Sequence, residues 1–324
     1  MATGRTGLIR VAGAALAALL IAASAASADP VAVLAAVKGR VEVTPARGGP
    51  AVRATFGRAL ERGDRVSVAA GGAATVFFDD GSVVNLDEKS SLTVGGRAAA
   101  RPKRAGAPGL PGEVYANVTK FVTGGSRETG LVALSTLRGG PDTTPLILEP
   151  RKTALADGRP TLRWRAVEGA ARYRVEVSGE EGPLWDRETA DATLVYPADA
   201  PALGAGRDFV WEVRALSEQG ELRREASYVH VLGADEARDV QGALARIGES
   251  AGGAESPAAR YLSGSYLCGR GLYRDAAAQF EALSRLSPDS PAPHEALGNV
   301  YRAVGLMDLA AAEYQRALEL GRGP

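Results

Sequence analysis

"ALGNVYRAVGLMDLAAAEYQRALEL" (296–320) is the stretch from which the rest of the chain is read, because a weaker copy of it lies upstream. At an offset of 34 residues (291 − 257), Pro257 meets Pro291, Gly264 meets Gly298, Gly271 meets Gly305 and Ala276 meets Ala310. Phe280 then meets Tyr314, Leu286 meets Leu320, and Pro288 trails the first copy. A period of this length, with small residues at fixed positions and an aromatic after them, predicts a helical hairpin per copy. The glycines and alanines let two helices approach, and the aromatic fills the space between them. Upstream, "DEARDVQGALARIG" (235–248) puts Val240, Leu244 and Ile247 on one helical face, and "ESAGGAESP" (249–257) reads as a linker.

Further towards the N-terminus the period changes from helical to two. Between Val31 and Val94, Val37, Val41 and Val43 share parity, as do Val66 with Val68, Ala74 with Val76 and Phe78, and Val84 with Leu86. Gly39, Gly48-Gly49, Gly63-Asp64, Gly71-Gly72 and Asp80-Gly81 punctuate these runs, which predicts an antiparallel β unit. Within it "FFDDGSVVNLDE" (77–88) crowds acidic residues together, yet Asp-Gly between two apolar runs is a hairpin signal. A calcium loop would need oxygen ligands at alternate positions, and Ser82, Val83 and Val84 are strand residues instead. A second β region runs from Pro145 to Gly233. There "PTLRWRAV" alternates Leu162, Trp164 and Ala166, "YRVEV" alternates Tyr173, Val175 and Val177, and "FVWEVRAL" alternates Phe209, Trp211, Val213 and Ala215. Trp164 and Trp211 therefore belong to a core face, and Trp185, beyond a turn, also reads first as a packing residue. Between the β regions, "GGRAAARPKRAGAPGLPG" (95–112) is a basic Gly/Pro linker, read as a solvated spacer. Leu110, Val114, Val118, Phe121 and Val122 fall near helical spacing and predict one short helix.

The chain has 324 residues, enough for two or three cores, with 38 basic and 38 acidic residues. No overall field exists to gather nucleic acid. Residues 1–28 join Arg5 and Arg10 to "VAGAALAALLIAA" (11–23) and a small-x-small step at Ala26-Ser27-Ala28, the plan of a cleaved signal peptide. Cleavage would leave a charge of −2 and no integral membrane span. Cys268 is the single cysteine, so an intrachain disulfide and a cysteine zinc site are excluded. Export without disulfides points to a periplasm. The two histidines, His230 and His294, lie far apart in sequence, and phosphate-loop, dinucleotide and nucleophile-elbow motifs are missing. No catalytic residue, metal ligand or cofactor is assigned, and the expectation is a protein that is not an enzyme.

Three family resemblances sharpen this outline. "VKGRVEV" with "ATFGRALERGDRVSVAAGGAATVFFDDGSVVNLDEKSSLTV" resembles the FecR-type periplasmic domain, on Gly39, Gly57, Leu60, Gly63, Asp64, Asp80, Gly81, Ser82 and Leu86. The run from Trp164 to Val177, followed by that from Leu203 to Ala215, resembles the fibronectin type III group. The C-terminal copies resemble tetratricopeptide (TPR) repeats, with His294 where that family often has tryptophan. The implied fold class is multidomain β plus α: signal peptide 1–28, FecR-like antiparallel β domain 29–95, linker and short helix 96–144, fibronectin type III-like β-sandwich 145–233, helix and linker 234–255, and two TPR hairpins 256–324. Two repeats are fewer than the three or so that bury a solenoid core, so helix 235–247 is expected to cap them, or a second copy or partner to pair with them. In TPR proteins the first helix of each repeat lines a concave face, which here implies partner contacts from Tyr261, Ser265, Cys268, Glu295, Asn299 and Arg302. The function implied is a non-catalytic envelope scaffold or assembly factor that binds protein partners in the periplasm. Two other classes are a sensor subunit working through the FecR-like domain and a glycan or peptidoglycan binder.

Overall fold

The computed structural model describes residues 30–80, 82–95, 112–125 and 144–321, with the backbone alone at 122–125. The signal peptide expected at 1–28 and the basic linker at 96–111 lie outside the described residues. The architecture is mixed β and α, with a helical C-terminal region.

The first β unit is two antiparallel sheets. One has the order β4-β1-β6-β7, from β4 (Ala59–Leu60), β1 (Ala32–Lys38), β6 (Ala73–Phe78) and β7 (Val83–Leu86). The other has the order β3-β2-β5-β8, from β3 (Val52–Arg53), β2 (Val41–Thr44), β5 (Arg65–Val68) and β8 (Ser91–Thr93). Leu34, Val41, Val43, Leu60, Val66, Val76 and Leu86 fill the space between them. The buried Asp64 carboxylate closes this unit by accepting from Ala46 N and Glu61 N, both at 2.9 Å. At the acidic hairpin, Asp80 Oδ1 accepts from Ser82 N at 2.9 Å, the backbone-capping role that a turn aspartate performs. Gly81 is outside the described residues.

β1 departs from simple alternation. Ala32, Val33, Leu34 and Ala35 are all fully buried. Ala32 and Leu34 enter the core between the sheets, whereas Val33, Ala35 and, from β6, Phe77 point out of it into a second core made by helices. A strand covered on both faces loses its polar alternate, which is why the run from Ala32 to Val37 is apolar throughout.

The second β unit packs the five-stranded order β10-β16-β15-β12-β13 against the three-stranded order β14-β11-β9. These are β10 (Thr153–Leu155), β16 (Gly220–Val231), β15 (Asp208–Ser217), β12 (Arg172–Gly179), β13 (Gly182–Thr189), β14 (Thr193–Leu194), β11 (Leu162–Trp164) and β9 (Ile147–Glu149). Only β10 with β16 is parallel among these pairs. Trp164 and Trp211 are buried at the centre, their rings 6.4 Å apart, and Trp211 Nε1 donates to Pro150 O at 2.8 Å. Trp185 sits edge-on to Tyr196 and donates to its hydroxyl at 2.7 Å.

Among the described residues, six helices follow or interrupt the strands: α1 (Gly112–Gly125), α2 (Ala234–Ser250), α3 (Pro257–Gly269), α4 (Tyr273–Leu286), α5 (Ala292–Ala303) and α6 (Met307–Gly321). Ser256 caps α3 by accepting from Ala259 N at 3.1 Å, with Pro257 at the first helical position. Gly271 and Gly305 take φ +76° and +81°, and Leu272 N and Leu306 N donate back to Leu267 O and Tyr301 O across the same turn in each hairpin. Within each hairpin a glycine makes room for an aromatic ring. A Cβ on Gly264 would stand 2.6 Å from Phe280 Cε1, and one on Gly298 would stand 2.4 Å from Tyr314 Cε1.

The hairpin turns are anchored to the second β unit through backbone groups. Ala154 N and Thr153 Oγ1 donate to Gly271 O at 2.9 and 3.0 Å, and Thr153 Oγ1 accepts from Tyr273 N at 2.9 Å. One turn later, Arg151 Nε donates to Val304 O at 2.9 Å while its Nη1 pairs with Glu225 at 2.6 Å. Carbonyls left over at two helix ends thus receive donors from one β loop.

The glycine–ring contact sets a measurable cost. Gly298→Val places branched carbon where the Tyr314 ring stands, and overpacking there is expected to lower stability by about 2 kcal/mol or more in urea titration. Gly321→Val, with nothing within 4 Å of the added Cβ, should stay within about 0.5 kcal/mol of wild type.

Candidate functional site

The six residues expected on a concave face divide into two groups. Tyr261, Ser265 and Cys268 are one to two turns apart on α3 and share a face, but all are buried, at 4%, 0% and 8% exposure. The expectation of an open surface there does not hold, because two elements lie over it. β1 brings Val33 and Ala35, and the loop before β4 brings Phe56, 6.3 Å from the Tyr261 ring. α1 covers the rest with Val114 and Val118, at 1% and 0% exposure, and with Phe121, stacked on Phe280 at 5.4 Å and 15°. Gly57, at φ +71°, comes so close that a Cβ on it would be 2.1 Å from the Tyr261 hydroxyl.

Burial changes the chemistry of these groups. The Cys268 thiol is pushed well above its ordinary range by loss of solvent, which disfavours the thiolate. The Tyr261 phenol is pushed up by burial first and by the nearby Glu295 carboxylate second.

Asn299 and Arg302 on α5 are half-buried, whereas Glu295 as a whole residue is exposed, with its carboxyl turned towards the buried Tyr261 phenol. Asn299 Oδ1 accepts from Tyr314 OH at 2.8 Å, so this side chain serves the hairpin interior as well. Burial raises the Glu295 carboxyl above its ordinary value. The second helix of this hairpin also engages His294, whose Nδ1 lies 2.7 Å from Glu313 Oε2.

A second concavity was not foreseen from the sequence. A cavity of about 130 Å³ lies between the second β unit and the hairpins, lined by Glu149, Arg163, Arg274, Tyr301, Leu306 and Leu309 among others. Arg163 and Arg274 converge on the two oxygens of Glu149, at 2.6 and 3.8 Å. The Tyr301 phenol is pushed up to about 12, by burial first and then by Glu281, Glu313 and Glu149. Its residues come from β9, β10, β11, three helices and the loops between them, so no local motif signals it. Among the described residues, no three His, Cys, Asp or Glu side chains converge as a metal site would require, and no helix is long and apolar enough to cross a membrane.

No family model matches the chain, and no curated protein matches it. Partial likeness to solved structures includes the fn3 domain of human collagen alpha-1(XX) chain, at 16% identity and TM-score 0.23 over 30% of this chain and 93% of that one. CopC from Methylosinus trichosporium OB3b is 20% identical over 28% of this chain and 94% of that one, with TM-score 0.21. A multi-domain immunophilin from Arabidopsis thaliana is 9% identical over 54% of this chain and 100% of that one, with TM-score 0.20.

Glu295 gives this face a pH signature. Its folded pKa lies above the usual 4.5, so the native state takes a proton first and stability rises as pH falls through the raised value, levelling off below 4.5. Glu295→Gln is therefore expected to be more stable than wild type at pH 7, with the difference closing as pH approaches about 4. Urea midpoints measured from pH 4 to 8 check this. A gap that is constant with pH would assign the effect to packing alone.

Proposed function

We propose that this chain is a non-catalytic scaffold or assembly factor of the bacterial envelope, exported by residues 1–28 and working in the periplasm. In this reading the C-terminal hairpins are two TPR-type repeats, the first β unit is FecR-like, and the second is a fibronectin type III-like sandwich. The observation that carries the proposal is the repeated helical hairpin. Gly264 against Phe280 and Gly298 against Tyr314 set the same close helix pair twice, 34 residues apart (298 − 264), with the same glycine turn after each first helix. Arrays of such pairs present extended surfaces for peptide and helix ligands rather than reacting groups.

Within the hairpins, the α5 face is the part that a partner meets without displacing another element. It offers Glu295 and Arg302 as a charged pair of contacts beside the half-buried Asn299. The second β unit holds the two hairpin turns in fixed register through Thr153 and Arg151, so the face is presented on a rigid mount.

The test is co-purification from crosslinked envelopes, using full-length protein and a full-length Arg302→Glu variant, with captured proteins identified by mass spectrometry. Loss of a defined partner with the variant, at unchanged protein level, is the expected result. Equal capture by both forms would remove the α5 face from the function and turn attention to the β units.

A further inference from the structure

The cover over Tyr261, Ser265 and Cys268 has the form of a bound ligand. α1 is an amphipathic helix whose Val114, Val118 and Phe121 stand at i, i+4 and i+7, one continuous stripe. That stripe enters the apolar seat formed by α3, Phe280 of α4 and the outward face of β1 and β6. The seat is cut to fit a helix. A Cβ on Gly269 would lie 2.4 to 2.6 Å from the Asn117 side chain, so this glycine is where α1 crosses α3. Polar contacts mark the rim: Arg270 Nη1 donates to Glu113 Oε1 at 2.6 Å, and Tyr115 OH donates to Pro30 O at 2.6 Å.

α1 is held in the seat by side-chain contacts. Among the described residues, no backbone hydrogen bond joins it to the rest of the protein. The second β unit, by contrast, meets the hairpins through backbone groups at Gly271 and Val304. In sequence, residues 96–111 precede α1 and residues 126–143 follow it.

Leaving the seat empty is not an option for the rest of the fold. Without α1, Phe77, Phe280 and the α3 face would form a contiguous apolar patch in water. What replaces α1 must therefore be another amphipathic helix with the same stripe.

We propose that the α3 seat is a helix-binding site, that α1 is its resident ligand, and that a partner helix displaces α1 by presenting an acidic residue followed by aliphatic, aliphatic and aromatic side chains at i, i+4 and i+7. This rests on the scaffold reading and names its partner chemistry. It also gives a reason for the buried positions on α3: they recognise a helix, with α1 standing in until the partner arrives.

The probe is a fluorescently labelled peptide of residues 111–126, titrated by anisotropy into the full-length protein. Wild type should bind it weakly, because its own α1 competes at high effective concentration. Full-length Val118→Asp, which unseats α1, should bind at least about 10-fold tighter, since apparent affinity scales with the open fraction. A peptide carrying the same V118D change should not bind. Glu113→Arg removes only the rim pair with Arg270 and leaves the interior intact, and it should give an intermediate gain. If neither folded variant, judged by circular dichroism, binds the peptide more tightly than wild type, α1 is a fixed part of the fold and the proposal fails. It fails equally if V118D unfolds and E113R shows no gain. Peptide exchange in a protein whose crosslinked partners ignore Arg302→Glu would keep the helix site and discard the α5 face as the partner surface.

Discussion

α3 has no solvent face of its own, and this constraint organises the protein. Ten of its thirteen residues are buried, because β1, α1, α2, α4 and α5 all pack around it. A helix so enclosed can carry large side chains only where a neighbour recedes. Hence Ala258, Ala259, Ser263, Gly264, Ser265 and Gly269 alternate with Tyr261, Leu262, Tyr266 and Leu267. Both glycines answer to a particular neighbour: Gly264 to Phe280 and Gly269 to Asn117. The number of neighbours also removes the need for a third hairpin. The exposed side that two repeats would otherwise leave is closed by α2, through Val240, Ala243 and Ile247, and by the first β unit.

That closure explains which features were legible in the sequence. Hairpin geometry was legible because glycine and aromatic positions recur at a fixed offset, and the spacing of Val114, Val118 and Phe121 marks α1 as amphipathic. Strand faces in the second β unit were legible because its sheets bury one side each, so Trp164 and Trp211 keep the parity of their buried neighbours. What pattern cannot encode is the identity of the surface that meets an apolar stripe. Tyr261, Ser265 and Cys268 share a face, as helical spacing requires, but spacing does not distinguish an open groove from one filled by α1 and β1. The one local signal was the unbroken apolar run from Ala32 to Val37, together with paired Phe77 and Phe78. A strand with a wet face would have carried a polar residue at alternate positions. The cavity at Glu149 and Tyr301 had no local signal, being assembled from six separate elements.

The junction between the second β unit and the hairpins works by a different principle. Here the groups to be satisfied are carbonyls at the ends of α3 and α5, and their donors come from Thr153 and Ala154 in β10 and from Arg151 in the loop before it. Arg151 is held by Glu225, which also accepts from Leu146 N and Ile147 N at 2.6 and 2.8 Å. A guanidinium at 9% side-chain exposure would be costly without partners at both ends. With them, it fixes the hairpin turn to the sheet in both distance and direction. The junction with the second β unit thus rests on buried directional bonds, whereas at α1 an apolar interior is rimmed by two polar contacts.

This asymmetry decides which contacts can exchange. Directional bonds lose their full value on small displacement, because an unpaired buried donor or acceptor carries a desolvation cost of about 1–3 kcal/mol. Apolar contacts are restored by any surface of matching shape. The first β unit shares the second kind of contact, yet Gly57 limits its freedom. Both its left-handed φ of +71° and the 2.1 Å approach of a virtual Cβ to the Tyr261 hydroxyl reject any other residue there. The chain approaches α3 closely at this point, whereas α1 is seated beside it through side-chain contacts. The elements enclosing α3 therefore differ in how firmly they are held, and α1 is the one whose contacts another helix can reproduce.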